Sequence, residues 1–211
     1  MPRDASKTRE KLIDAAARAF AADGVFSASL VDITRKAGQR NKGALHYHFG
    51  SRQAILCAVL ERHVDFLARR EGELLELAMQ APDHDLQSVV EAIVRPAAEL
   101  AESGWRGRAF LLIVAELAQE EPSSLGDEVN AVLARTGGYD VYAVLMSRMV
   151  DVKPEVVLER FALVTSFILR AVADRARANG RRRPSRPQLD QETFVRNLIA
   201  MVAAGLSAPL T

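Results

Sequence analysis

The chain has 211 residues, enough for one large helical domain or a small domain joined to a larger one. Apolar residues make up 49% and charged residues 26%, near the globular average, which excludes a disordered chain. Lys and Arg number 28 against 27 Asp and Glu, which excludes a uniformly basic coat. The balance is uneven along the chain. Residues 1–56 carry ten basic and five acidic side chains, a net of +5, and the remainder carries 18 and 22, a net of −4. This is a basic head on an acidic body. The one cysteine, Cys57, cannot form an internal disulfide, so a reducing compartment is expected. The first seven residues lack the apolar core of a signal peptide. The longest uncharged run, 197–211, is too short to span a bilayer and is interrupted by Gly205 and Pro209. A soluble, cytoplasmic protein with no membrane partner is expected.

The pattern is helical from end to end, with Gly and Pro mostly between periodic runs. A first helix is predicted from about 6 or 8 to 23, with Leu12, Ile13, Ala16, Ala19 and Phe20 at helical spacing and Gly24 as its stop. Ser29 opens a second helix, with Asp32 three residues on as in a capping box, and Gly38 ends it. A third short helix is predicted over 41–48. A long one follows over 51–80, about 45 Å at 1.5 Å per residue, with Gly72 inside it. Helices at 85–102 and 107–120 come next. The second is apolar around most of its circumference, which predicts a central position. The run 122–149 is expected to break at Gly137-Gly138. A helix over 154–179 has Pro154 at its favoured first-turn position. A basic, proline-containing loop, 180–187, precedes the last helix, 190–207. No internal repeat is present. The predicted fold is all-α: an N-terminal three-helix unit, residues 1–50, and a larger helical body, residues 51–211.

The informative stretch is 29–52. Two short helices flank a tight turn containing glycine, and Ile33, Ala37 and Leu45 are placed to pack on Leu12, Ala16 and Phe20. This is the helix-turn-helix pattern, whose second helix lies in the DNA major groove. The residues present suit that task. Arg40 or Lys42 can donate to guanine and Asn41 can pair with adenine. His46, Tyr47 and Arg52 can hydrogen-bond phosphates, which fixes register without reading sequence. Gly43 and Ala44 are small enough for close approach, and Ser29 and Lys36 complete the candidate surface. Double-stranded DNA is the predicted partner. Arg3 and Lys7 read as either an arm that touches DNA or a plain terminus.

Here the sequence resembles the TetR family of bacterial transcriptional regulators. The resemblance runs through Thr8-Arg9, Ala15-Ala16, Phe20, Gly24, Ser29, Asp32-Ile33, Ala37-Gly38, Gly43-Ala44-Leu45, His48-Phe49 and Gly50-Ser51-Arg52. Three features depart from the family's pattern. The turn at 39–42 is one residue longer than usual. His46 stands where a phosphate-contacting tyrosine is usual, with Tyr47 next to it. Arg52 stands in place of a lysine. The resemblance implies a ligand-responsive regulator, a repressor that binds a pseudo-palindromic operator and is released by a small effector. It also implies a homodimer built from the last two helices. Apolar stripes agree with this: Phe194, Leu198 and Met201 form one, Val195, Ile199, Val202 and Leu206 another, with Ala200, Ala203, Ala204 and Gly205 between them. In the preceding helix Phe161, Val164, Phe167, Ile168 and Val172 behave alike.

The resemblance places an effector pocket in the body. Candidates are His63, Phe66, Trp105, Phe110, Glu116, Met146, Met149, Phe161, Thr165, Phe167 and Arg170. Glu116 and Arg170 stand out as charges in apolar stretches, where burial is costly without a partner. The apolar and aromatic set suggests a hydrophobic effector. No metal or cofactor is expected, since His46 and His48 point to different sides of a helix, and so do Cys57 and His63. A bundle enzyme is disfavoured because the sequence holds no paired Glu-x-x-His, no glycine-rich phosphate loop and no nucleophile elbow. No catalytic residue is assigned. A helical adaptor whose basic head binds an acidic partner is the other alternative. The basic segment 181–186 reads as a solvated loop.

Overall fold

The computed structural model describes the backbone of residues 2–179 and 187–209, and side chains from residue 5 onward except those of 179–186 and the last two. Arg3 and the basic segment 181–186, both weighed above, have side chains outside the described residues. The elements are α1 (Pro2–Asp23), α2 (Leu30–Lys36), α3 (Ala44–Phe49), α4 (Arg52–Ala78), α5 (Leu86–Glu102), α6 (Trp105–Leu117), α7 (Pro122–Leu125), α8 (Asp127–Leu133), α9 (Gly138–Arg148), α10 (Pro154–Asn179) and α11 (Gln191–Leu206). No strand occurs among the described residues.

Local chemistry sets most boundaries. Ser29, Ser51, Asp85 and Asp190 each accept a hydrogen bond from an amide in the first turn of the helix that follows. Gly24, Gly38 and Gly50 follow α1, α2 and α3 with positive φ, the conformation that favours glycine at a helix end. The third helix is shorter than expected. Residues 41–43 belong to the turn, because the Asn41 carboxamide accepts the Gly43 amide at 2.9 Å and closes a local loop before the helix begins. The predicted 122–149 helix is three helices. It breaks at Gly126, with φ +83, as well as before Gly137-Gly138.

Helix α6 is central, as its all-round apolar pattern requires: Phe110, Leu111, Ile113 and Leu117 are each no more than 1% exposed, and it packs on α1, α4, α5 and α10. At Gly107 an added Cβ would lie 2.0 Å from the Leu100 carbonyl oxygen, so α6 meets the end of α5 at backbone contact. The head is joined to the body by more than the long helix α4. Helix α1 packs on α4 and α6 as well as on α2. Asp14 accepts from Arg62 at 2.5 Å and from Arg106 at 2.6 Å, Glu10 also pairs with Arg62, and Arg18 stacks on the Trp105 ring at 3.6 Å. Arg106 and then Arg62 hold the Asp14 carboxyl below its ordinary range, against the opposing effect of burial. Two units read from the sequence as linked by one helix are thus docked along a charged seam.

The last helix divides differently from the two predicted stripes. Val195, Leu198, Ile199, Val202, Ala203 and Leu206 form one buried face. Met201, Ala200, Ala204 and Gly205 are exposed, and Phe194 is half-buried. Met201 therefore leaves the stripe assigned to it and joins the small residues on an outward face. On α10, Ile168 and Val172 are buried, Phe161 and Val164 are half-buried, and Leu163 and Phe167 are exposed.

Candidate nucleic-acid interface and body cavity

The head presents its polar residues outward. Ile33, Ala37 and Leu45 enter the core with Leu12, Ala16 and Phe20, which fixes α2 and α3 against α1. Lys36, Arg40, Asn41, Lys42, Gly43, His46 and Tyr47 are all exposed, and Tyr47 is 84% exposed despite its ring. Lys42 and Gly43 lie in the turn that leads into α3, and His46 and Tyr47 are exposed on the helix itself. Ala44 is buried, so any approach there is through backbone alone. Ser29 is exposed and caps α2 by accepting from the Asp32 amide at 3.3 Å. Asn41 uses its Oδ1 on Gly43, so a two-bond adenine contact requires that turn bond to open. Arg52 is half-buried, and its Nη1 donates to the Val25 carbonyl at 2.6 Å. The chemistry expected of Arg52 toward phosphate is joined by a structural tie between α4 and the α1–α2 turn.

The body contains a cavity of about 470 Å³. Leu67 and Glu71 of α4, Ile93 of α5, Phe110 and Val114 of α6, Tyr139 and Tyr142 of α9, and Leu158, Phe161, Thr165 and Leu169 of α10 line it, with Ala118, Pro122, Leu133, Thr136, Gly138 and Ala162. Of the pocket residues read from the sequence, Phe110, Phe161 and Thr165 line it. The others lie elsewhere. His63 stacks edge-on behind Phe110 with ring centroids 5.3 Å apart, and burial keeps the imidazole below its ordinary value. Arg18 and Arg106 both lie over the Trp105 ring, at the joint with α1. Phe66 lies beneath Arg69, Met149 is buried at the end of α9, and Met146 packs on the core. Arg170 is exposed and paired with Asp174 at 2.9 Å. Glu116 finds its partner in the head, where Oε1 accepts from the Val25 amide at 2.9 Å.

The sequence reading missed Glu71. This carboxyl is 6% exposed, and burial pushes its pKa up to about 8, with only the Gly137 backbone amide opposing the rise. The signal was present. Leu60, Val64, Leu67, Leu75 and Ala78 form one buried stripe along α4, and Glu71 sits in register within it. Its neighbours Arg69, Arg70, Glu73 and Glu76 are all charged, which masks the stripe in the linear sequence.

A two-helix motif with an exposed basic edge, fixed to an all-helical body with a partly open apolar cavity, defines a helix-turn-helix regulatory protein. The sequence model described as bacterial regulatory proteins of the tetR family matches residues 12–59. The one described as the tetracyclin repressor-like C-terminal domain matches residues 91–205. The chain belongs to the TetR family of transcriptional regulators. It is similar to the HTH-type transcriptional regulator SrpR of Pseudomonas putida, 38% identical over 94 residues, a match that covers 40% of this chain and 44% of that relative. The chain thus spans less than half the length of that relative. The solved ketosteroid transcriptional regulator KstR2 of Mycobacterium tuberculosis shares the fold at TM-score 0.57 and 23% identity, over 93% of each chain. AibR, solved in complex with isovaleryl coenzyme A and operator DNA, shares it at TM-score 0.55 and 16% identity, over 92% of this chain and 97% of that one. No helix among the described residues is long and apolar enough to cross a membrane.

Proposed function

We infer that this protein is a repressor that binds a pseudo-palindromic operator as a homodimer and is released by a small hydrophobic effector. Residues 1–50 serve as the DNA-binding unit and 51–211 as the effector-binding and dimerising body. Lys42, Arg40, His46 and Tyr47 face the duplex, and Arg52 reaches phosphate while holding Val25. The outward residues Leu163 and Phe167 of α10 and Met201 of α11 are apolar, and a second copy of the same two helices covers them. Two recognition helices then lie about 34 Å apart, one turn of the duplex.

The observation that carries the switch is the double hold on Val25. Its amide is held by Glu116 of α6 and its carbonyl by Arg52 of α4. Both of these helices also line the cavity, through Phe110 and Val114 on one and Leu67 and Glu71 on the other. An effector that repacks the cavity moves both handles on the head at once. It must bind the DNA-incompetent arrangement more tightly, because equal affinity for both shifts nothing. The test is selection of bound sequences from random duplex DNA by the purified full chain, followed by release with small molecules. Enrichment of a two-fold symmetric site, released by an apolar compound, is expected. A chain that enriches no duplex would count against operator binding and favour the reading of an adaptor whose basic head binds an acidic partner.

A further inference from the structure

Two side-chain polar atoms among the described residues are buried without a hydrogen-bond partner: Oε2 of Glu71 and Oγ1 of Thr165. Both belong to residues that line the same cavity, with the two atoms themselves just beneath its surface, so a ligand meets them once the side chains turn outward. Buried polar groups are normally satisfied, so a pair left open at one apolar site calls for a complement. The nature of that complement follows from the wall. No Lys, Arg or His lines the cavity, and Glu71 is the one carboxyl there. Around it stand the rings of Phe110, Tyr139, Tyr142 and Phe161, with Tyr142 and Phe161 at 5.2 Å between centroids. Aromatic faces and a carboxylate attract a cation, while an anion would enter with no positive partner.

We propose that the cavity recognises a hydrophobic amine cation, with the ammonium group on Glu71, a hydrogen bond at Thr165 and the apolar body between the aromatic rings. This rests on the cavity being the effector site. Gly137 holds the acid in place: an added Cβ there would lie 2.9 Å from both Cβ and Oε2 of Glu71, so the backbone packs directly against the carboxyl. Burial raises the carboxyl's pKa to about 8, which keeps much of it protonated at neutral pH. An ammonium ion reverses that preference by supplying the missing charge.

Three probes of nearly one shape decide the matter: 1-naphthylmethylamine, 1-naphthalenemethanol and 1-naphthoate. Calorimetric titration of the full chain is expected to show the amine binding at least ten-fold tighter than the alcohol, and the carboxylate weakest. Glu71→Gln, nearly isosteric, is expected to abolish the preference for amine over alcohol. Thr165→Val is expected to weaken the amine by a few-fold, and thermal unfolding of both variants checks that they fold. Equal binding of amine and alcohol overturns the charge assignment but leaves the cavity as the effector site. A preference that survives in Glu71→Gln overturns the role of Glu71. If none of the three binds, the amine assignment falls, while release of selected operator DNA by other small molecules still tests the cavity as the effector site.

Discussion

Glu116 accepts a hydrogen bond from the amide of Val25 across 91 residues of sequence, at 2.9 Å. Val25 is fully buried, and Gly24 beside it has φ +91, with its Cα face only 3.3 Å, measured from an added Cβ, from the same carboxylate. The glycine lets the turn meet the body closely. Truncating Glu116 to Ala leaves a buried amide unpaired, which costs about 1–3 kcal/mol. Glu116→Ala is therefore expected to unfold at lower denaturant and to bind DNA more weakly. Effector affinity should stay close to that of the parent, since Glu116 is not in the cavity wall. Urea unfolding and calorimetry separate the two readouts.

Arg52 and Lys42 should part company under alanine substitution. Arg52 ties Val25 to the start of α4, so Arg52→Ala is expected to lose about 1–2 kcal/mol of stability as well as operator affinity. Lys42 is exposed in the turn, and Lys42→Ala is expected to stay within about 0.5 kcal/mol of the parent in stability while losing affinity. Melting curves and operator titrations on both variants check this. An Arg52→Ala protein as stable as the parent would remove the tie from the account.

Phe167 is 45% exposed on α10. Placing a charge there, as Phe167→Glu, is expected to convert the proposed homodimer to monomer in sedimentation velocity. Because the side chain is already half in water in the single chain, loss of the monomer fold is not expected. Operator affinity should fall at least ten-fold, since each half-site then binds alone. A dimer that survives places the interface elsewhere.

Glu71 makes stability depend on pH. Its folded pKa is about 8 against an ordinary 4.5, so between these values the folded chain binds more protons than the unfolded one. The sign follows: this contribution is fully present below about 4.5 and is lost as pH rises through 8. Glu71→Gln removes that dependence. Urea midpoints of parent and variant should lie closest at acid pH, with the variant gaining steadily on the parent toward pH 8.5.

Much of this was legible in the amino-acid order. The caps Ser29, Ser51, Asp85 and Asp190, the stops at Gly24, Gly38 and Gly50, and the all-round apolar pattern of 110–117 follow local rules that need no tertiary knowledge. The third helix began later than its pattern indicated because Asn41 bonds its own turn, a competition between side chain and backbone that spacing does not display. Phe110, Phe161 and Thr165 were found among the cavity residues because large apolar or out-of-place polar residues in buried runs are the usual signal. Glu116 and Trp105 gave the same signal for another reason. Each is partly buried by the head docking on the body, a contact between segments about 90 residues apart that no local pattern encodes. Glu71 was hidden by charged neighbours and becomes visible only when α4 is read along its buried stripe.

In the proposed function the basic head grips a duplex through phosphates, as a pair. The most direct test is the affinity of the full chain for its selected operator as a function of salt. A steep linear fall of log affinity with log salt concentration is expected, about 0.9 for each phosphate neutralised, with a slope shallower by about two when Lys42→Ala removes one contact from each protomer. A slope near zero, or one untouched by Lys42→Ala, would contradict it.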